Sequence, residues 1–194
     1  MNKSKNVLII LGQGDSSTYY GALADKYEKG ARDAGHNVKR INVSEMQFDP
    51  ILHHGYKIIQ ELEPDLLRLQ NLIKWANHIA IFYPNWWGGM PAIFKGMWER
   101  MFLPGFAFKF KKDGSGWRKL LKDRSASIFV TLNTTPWQAR LLFGDSSRAL
   151  RKSILGFAGI SPIYVYKFGP VEKLPKERLD YWKKKVYGLG KKGK

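Results

Sequence analysis

Short apolar runs that end in turn residues alternate with segments of helical spacing, and this rhythm leaves the chain few architectures. Residues 7–11 (Val-Leu-Ile-Ile-Leu) are aliphatic throughout and break at Gly12 and Gly14. A run without polar alternation reads as a strand buried on both faces. Residues 17–34 follow with Tyr20, Leu23, Ala24, Tyr27 and Ala31 on one helical face, and Gly35 stands where a C-terminal cap belongs. The same alternation predicts strands over 38–43, 79–84, 127–132 and 163–168, and helices over 64–76, 91–101, 147–157 and 175–187. Pro64 and Asp65 open the 64–76 helix. Residues 104–124 read as a long Gly-, Lys- and aromatic-rich excursion. Strands alternating with helices imply an α/β fold, a doubly wound five-stranded parallel sheet with helices on both faces. One domain over 1–194 is expected, with residues 176–194 as a basic C-terminal helix and tail.

Composition narrows the chemistry. The 194 residues include no Cys, which removes disulfides, thiolate nucleophiles and cysteine-held metal clusters. Four scattered His, with no His-Glu-x-x-His pattern, predict no metal site, and the adjacent His53 and His54 read as exposed loop residues. The 44% apolar content supplies a full core despite the net charge of +17. Residues 105–124 carry seven Lys/Arg against two acids and residues 176–194 carry eight against two, so these two segments hold most of that charge. Charge without a helix-turn-helix, zinc-finger or RNP-type signature reads as solvated surface, and no nucleic-acid partner is expected. The N-terminal apolar run is too short for a signal-peptide core and no run approaches a membrane span, so a cytoplasmic protein without membrane insertion is expected.

In sheets of this kind ligands bind beyond the carboxyl ends of the strands. Three loops qualify. Gly12-Gln-Gly-Asp-Ser-Ser-Thr18 lacks the third glycine of a dinucleotide fingerprint and the Gly-Lys-Ser/Thr of a Walker loop. Its hydroxyls, placed before a helix N-terminus, suit a phosphate monoester, although Asp15 would repel one unless turned away. Tyr83-Pro-Asn-Trp-Trp-Gly-Gly-Met-Pro91 offers adjacent indoles as a shelf for a flat aromatic ligand and glycines for close backbone approach. Thr131-Leu-Asn-Thr-Thr-Pro-Trp137 adds hydroxyl and amide groups beside a further indole. Lys95 and Glu99, four residues apart on a helix, read as an ion pair.

The second loop and the helix after it, Tyr83-Pro-Asn-Trp-Trp-Gly-Gly-Met-Pro-Ala-Ile-Phe-Lys-Gly-Met-Trp-Glu-Arg-Met-Phe102, followed by Gly105-Phe-Ala-Phe, resemble the flavodoxin-like NAD(P)H:quinone oxidoreductases. The shared pattern is Pro-x-x-Trp-x-x-x-Pro-Ala-x-x-Lys-Gly-x-x-Asp/Glu-Arg-x-Phe. The resemblance implies a flavin bound at a homodimer interface and two-electron, ping-pong reduction of quinones or similar planar acceptors by NAD(P)H. FMN is the expected flavin, with FAD the alternative, because the chain ends soon after its last helix. By position, Gln13, Ser16, Ser17, Thr18 and Tyr19 would hold the flavin phosphate. Pro84, Asn85, Trp86, Trp87 and Gly88 would line the ring, and Thr131, Leu132, Asn133 and Thr134 would complete its polar edge. Trp87, Phe108, Phe110 and Trp137 would face the acceptor, with Phe108 and Phe110 reaching toward a partner chain. Trp137 and Phe143 stand where vertebrate-type members carry a Tyr and a His, and neither can relay a proton; Gly12 stands where they place a His. A non-enzymatic flavodoxin-type carrier and a regulatory flavoprotein subunit of a membrane transporter are the alternatives, and +17 speaks against the carrier.

Overall fold

The structure, a computed structural model, describes residues 3–194. Its elements run β1 (Asn6–Leu11), α1 (Tyr19–Asp33), β2 (Asn37–Asn42), α2 (Pro64–Trp75), β3 (His78–Pro84) and α3 (Ala92–Met101). They continue through β4 (Phe108–Phe110), β5 (Trp117–Lys119), β6 (Ser125–Thr131) and α4 (Pro136–Phe143). A π-helix (Ala149–Gly156), β7 (Ile163–Phe168) and α5 (Lys176–Lys192) complete the chain. The main sheet has the order β2-β1-β3-β6-β7, parallel throughout. This is the expected five-stranded doubly wound α/β sheet. Its order reverses between β1 and β3, which opens a crevice at their carboxyl ends.

The period-two geometry of strands sorts the core into two layers. Val7, Ile9, Leu11, Ala80, Phe82 and Phe129 pack with α1 and α5 on one face. Leu8, Ile10, Ile79, Ile81, Ile128 and Val130 pack with α2 and α3 on the other. Phe82 stacks on Phe129 at 4.3 Å and Phe129 on Tyr166 at 5.1 Å, an aromatic ladder across β3, β6 and β7.

Two helix contacts depend on missing side chains. A Cβ on Gly30 of α1 would lie 2.1 Å from the Tyr187 carbonyl oxygen, and one on Gly190 of α5 would lie 2.1 Å from that of Tyr27. The backbones of α1 and α5 therefore touch. Tyr19 Oη donates to Leu179 O at 2.9 Å and Tyr187 Oη to Asp33 Oδ2 at 2.9 Å, fastening both ends of the contact. In α3, a Cβ on Gly96 would lie 2.4 Å from Pro50 O. Arg100, fully buried, donates to the carbonyls of Asp49 and Glu61 and to both carboxylate oxygens of Glu63. The Lys-Gly-x-x-Glu-Arg portion of the motif thus anchors the 49–63 loop, and Lys95 pairs with Glu99 as expected.

Four departures from the sequence reading have local causes. The 104–124 excursion contains an antiparallel ribbon, β4 with β5. Helix α4 follows the third loop, opened by a Thr135/Gln138 capping box with Pro136 in its first turn. The 147–157 helix is wound as a π-helix over its middle. The last helix runs beyond Tyr187 to Lys192, because Val186 and Gly190 are buried against α1 and Lys191 and Lys192 complement its C-terminal dipole.

Two glycines of α5 separate packing from propensity. Gly190→Ala is expected to lower stability by about 1–3 kcal/mol through overpacking. Gly188→Ala, where an added Cβ meets nothing within 4 Å, is expected to raise it by roughly 0.5–1 kcal/mol. Urea unfolding of both variants checks this; equal shifts would refute the close α1–α5 contact.

Candidate active site

The carboxyl edge of the sheet brings the three predicted loops together. β3 leaves the core through Pro84 and Asn85, whose backbone N–H donates to Thr131 O at 2.8 Å, joining the second loop to the third. Trp86 and Gly89 then exchange two backbone hydrogen bonds of 2.9 Å, closing a two-residue turn with Trp87 at φ 50° and Gly88 at φ 78°. Such turns favour Asn-Gly, and a bulky residue in this region carries of order 1–3 kcal/mol of strain. The Trp87 indole recovers none of it by packing, since it is fully exposed; Trp86 is half exposed. Behind the turn, the buried Oδ1 of Asn85 and the buried hydroxyl of Tyr83 have no hydrogen-bond partner among the described residues.

The first loop begins at Gly12, whose N–H donates to Phe82 O at 2.8 Å and whose Cα lies against Phe94 closely enough that a Cβ would sit 2.7 Å from the ring. Gln13 is half-buried. The loop hydroxyls are already engaged. Ser16 Oγ donates to Asp25 Oδ1 at 3.0 Å, and Ser17 donates through N–H at 2.8 Å and through Oγ at 2.5 Å to Asp15 Oδ1. These Ser17 bonds, the hydroxyl first, hold the Asp15 carboxyl below its ordinary range. Thr18 caps α1 by accepting from Gly21 N at 3.1 Å. Tyr19 places its ring on Trp182 and its hydroxyl on α5, so its side chain is turned from the loop. By position, the first-turn N–H groups of Tyr19 and Tyr20 lack intrahelical acceptors.

In the third loop, Thr131 and Leu132 are buried, and the Leu132 backbone bonds Phe168 O and Val171 N at 2.8 and 2.9 Å. Both backbone polar groups of Leu132 are therefore already engaged within the chain. Asn133 and Thr134 are exposed, with Asn133 Nδ2 donating to Glu172 at 2.9 Å. Trp137 is two-thirds exposed at the start of α4, and a side chain on Gly88 would meet Phe143 Cβ at 3.5 Å, so the end of α4 adjoins the 86–89 turn. Phe108 and Phe110 lie outside the three loops. Phe108 lines a cavity of about 230 Å³ with Trp98, Phe102 and Phe157, which shares Lys95, Ala149 and Ser153 with the cavity lined by Gly88 and Gly89, while Phe110 is exposed on the β4–β5 ribbon. His53 Nε2 lies 2.7 Å from Asp49 Oδ2, and no three His, Asp or Glu side chains converge among the described residues.

The sequence reading gave residues 145–148 no place in the site. Gly144-Asp-Ser-Ser repeats the Gly14-Asp-Ser-Ser of the first loop, a signal that was available. The geometry repeats too: both glycines have positive φ, and Asp145 Oδ1 accepts Ser147 N at 3.2 Å and Oγ at 2.6 Å. Asp145 also receives Lys167 at 3.0 Å and Arg151 at 3.1 Å. Burial alone would raise its carboxyl, but Ser147 and Lys167 outweigh burial and hold it far below the ordinary carboxylate range. Ser146, buried and without a partner for its Oγ, lines a cavity of about 470 Å³ with Gly88, Gly89, Met90, Lys95 and Arg148, directly beside the turn.

Comparison with known proteins identifies the fold. Residues 5–186 match the family described by a flavodoxin-like fold. The chain belongs to that family. Within it, an uncharacterized NAD(P)H oxidoreductase of Haemophilus influenzae is 31% identical over 175 residues, covering 86% of this chain and 84% of the relative. NAD(P)H dehydrogenase [quinone] 1 of Rattus norvegicus is 22% identical over 94% of this chain and 76% of its own length. An FMN-dependent NADH-azoreductase of Bacillus anthracis, solved with FMN, superposes with a TM-score of 0.73 at 18% identity, covering 95% of this chain and 97% of that one. The flavodoxin-like family thus accounts for the sheet order and for the crevice at its edge.

The charge at Asp145 gives a pH test. A carboxylate held below its ordinary value of 3.8 stabilises the fold above that value, and the contribution is lost as the pH falls toward the folded-state value. Asp145→Asn is expected to cost about 1–3 kcal/mol at pH 7, with the deficit shrinking below pH ~4. Urea midpoints at pH 7 and pH 3 measure it; a pH-independent deficit would show that charge is not what Asp145 contributes.

Proposed function

We propose that the protein is an FMN-dependent NAD(P)H oxidoreductase that reduces quinones or similar planar acceptors at the 86–89 turn, as a homodimer. The observation that carries this reading is the pairing of a strained, fully exposed Trp87 with the unpartnered, buried Asn85 Oδ1 behind it. A turn that places a bulky indole in the left-handed region without packing it is arranged for contact with something outside the chain. A flat heteroaromatic ring with an N–H edge answers both features: it covers the indole, and it donates to the amide oxygen once the Asn85 side chain turns outward to meet it. The fit extends to the first loop, where the opening N–H groups of α1 and the Ser16, Ser17 and Thr18 hydroxyls suit a phosphate monoester. For these hydroxyls to serve, the bonds of Ser16 to Asp25, of Ser17 to the Asp15 carboxylate and of Thr18 to the Asp15 carbonyl must pass to the phosphate.

A bound flavin would supply two-electron hydride chemistry between the nicotinamide donor and the acceptor. The chain's own work is placement. Asn85 and the exposed Asn133 and Thr134 would present polar groups to one edge, Trp86 and Trp87 would provide the shelf, and Trp137 would bound the mouth. Trp137 and Phe143 offer no acid–base side chain and Asp145 stays ionised at neutral pH, so none of these three supplies a proton to the acceptor. Around the mouth, Trp137, Leu141, Leu142 and Phe143 are exposed beside Trp86 and Trp87. This apolar rim favours burial against a second copy. No helix among the described residues is long and apolar enough to cross a membrane, and a cytoplasmic location fits a chain that uses no Cys.

Reconstitution tests the reading. FMN added to the full chain is expected to bind with the absorbance of a protein-held flavin, to bleach anaerobically with NAD(P)H and to recover with a quinone, while sedimentation reports a dimer. Asn85→Leu is expected to weaken FMN about tenfold, the loss of one hydrogen bond. Trp87→Gly is expected to raise stability by about 1 kcal/mol while weakening acceptor binding. A chain that takes up neither FMN nor FAD would overturn the proposal.

A further inference from the structure

Beside the crevice, a cavity of about 560 Å³ opens between α4, the π-helix and the outer edge of the sheet, where Trp137, Arg140, Arg151, Val165 and Lys167 line it. A second cavity of about 410 Å³ continues from it, because Arg151 and Ile163 line both, and ends at Lys119, Lys152 and Ser161. Ile163, Val165 and Lys167 project from the same face of β7 and form the floor, a run of about 13 Å at strand rise. The pair of cavities is therefore one groove with two lobes. It starts at Trp137, at the mouth of the crevice, and runs along β7 away from it.

The charge in this groove is not balanced by the chain. Lys119, Arg140, Arg151, Lys152 and Lys167 face it against a single carboxylate, Asp145. Arg151 and Lys167 share that carboxylate, and Arg151 Nε is buried without a partner. Among the described residues, Lys119, Arg140 and Lys152 enter no ion pair. Cations gathered on concave walls focus a field that draws in anions. The lobes differ in a way that matters for recognition: the near lobe holds Arg140, Arg151 and Lys167 around Asp145, with only Arg140 outside that ion-pair cluster, and the far lobe has cations and no acid.

We propose that this groove binds the phosphate-bearing half of the nicotinamide dinucleotide and selects NADPH over NADH. The proposal rests on the oxidoreductase reading above and names the donor for the same site. The near lobe, with Arg140 and Lys167, takes the diphosphate, and the exposed Trp137 face covers the part of the donor that enters the crevice. The far lobe, with Lys119, Arg151 and Lys152, takes the 2′-phosphate. A free ribose 2′-hydroxyl calls for a carboxylate acceptor, whereas a 2′-phosphate calls for Arg or Lys, and the far lobe supplies only the latter.

The test uses the full chain and two readouts. Adenosine 2′,5′-bisphosphate, titrated by calorimetry, is expected to bind at least about tenfold tighter than adenosine 5′-monophosphate, with the advantage falling as salt rises. The surface double variant Lys119→Gln/Lys152→Gln is expected to abolish that advantage, and Arg151→Gln to reduce it. In steady state with a naphthoquinone acceptor, wild-type protein is expected to prefer NADPH in kcat/KM. The double variant is expected to lose about tenfold with NADPH, mainly in KM, while NADH is unchanged. Equal binding of the two adenosine phosphates, or an equal effect of the double variant on both donors, would overturn the groove. Tight bisphosphate binding that the double variant abolishes, in a protein that oxidises neither donor, would support the groove and overturn the oxidoreductase reading instead.

Discussion

The ladder from β1 through β3 to β6 has no wet face, and the architecture follows from that. A parallel sheet whose central strands are buried on both sides has to be covered on both sides, and its connections have to cross over it. Helices α1 and α5 close one face so tightly that Gly30 and Gly190 bring backbone against backbone. On the other face, α3 is fastened to the 49–63 loop through Gly96 and Arg100. With both faces closed, polar groups can leave the core only at the strand ends. The unpartnered Asn85 oxygen and the strained Trp87 turn are found at the carboxyl ends, where the order of the sheet reverses.

Electrostatics at this edge are organised by a repeated device. Gly-Asp-Ser-Ser occurs at 14–17 and again at 144–147, and each time the aspartate folds back onto the second serine. At the first loop this neutralises donors that a phosphate would otherwise meet. At the second it turns Asp145 toward Arg151 and Lys167, so one carboxylate serves two cations and the groove beyond remains positive. Net charge taken over the whole chain hides this, since most of the +17 lies on exposed surface. What matters for recognition is where cations outnumber acids in a concave wall.

Much of the site was legible in the residues, and the remainder was hidden for definable reasons. The Trp-Trp-Gly-Gly turn, the Ser-rich loop and the Thr-Asn-Thr-Thr loop sit where strand ends were expected, because apolar runs and glycines mark strand ends locally. Side-chain direction was less accessible. Tyr19 lies in the first loop by position, yet its hydroxyl is held by α5, 160 residues away in sequence. Leu132 lies in the third loop, yet its backbone is consumed by β7 and the segment after it. Helix α4 went unread although Thr135-Pro-Trp-Gln138 is a capping box, because its apolar residues point to solvent and leave no buried stripe. The β4–β5 ribbon is only three residues deep on each side, too short for alternation to register.

By itself, the sequence determined the fold class, the five strands of the main sheet, the loops that meet at the crevice and the exclusion of thiol chemistry. Each of these follows from periodicity, from local turn chemistry or from residue type. Tertiary structure alone decided which hydroxyls are already spent, that Trp87 is strained and bare, and that Lys119, Arg140, Arg151, Lys152 and Lys167 face one groove. Those properties depend on contacts between segments far apart in the chain, and no local pattern records them.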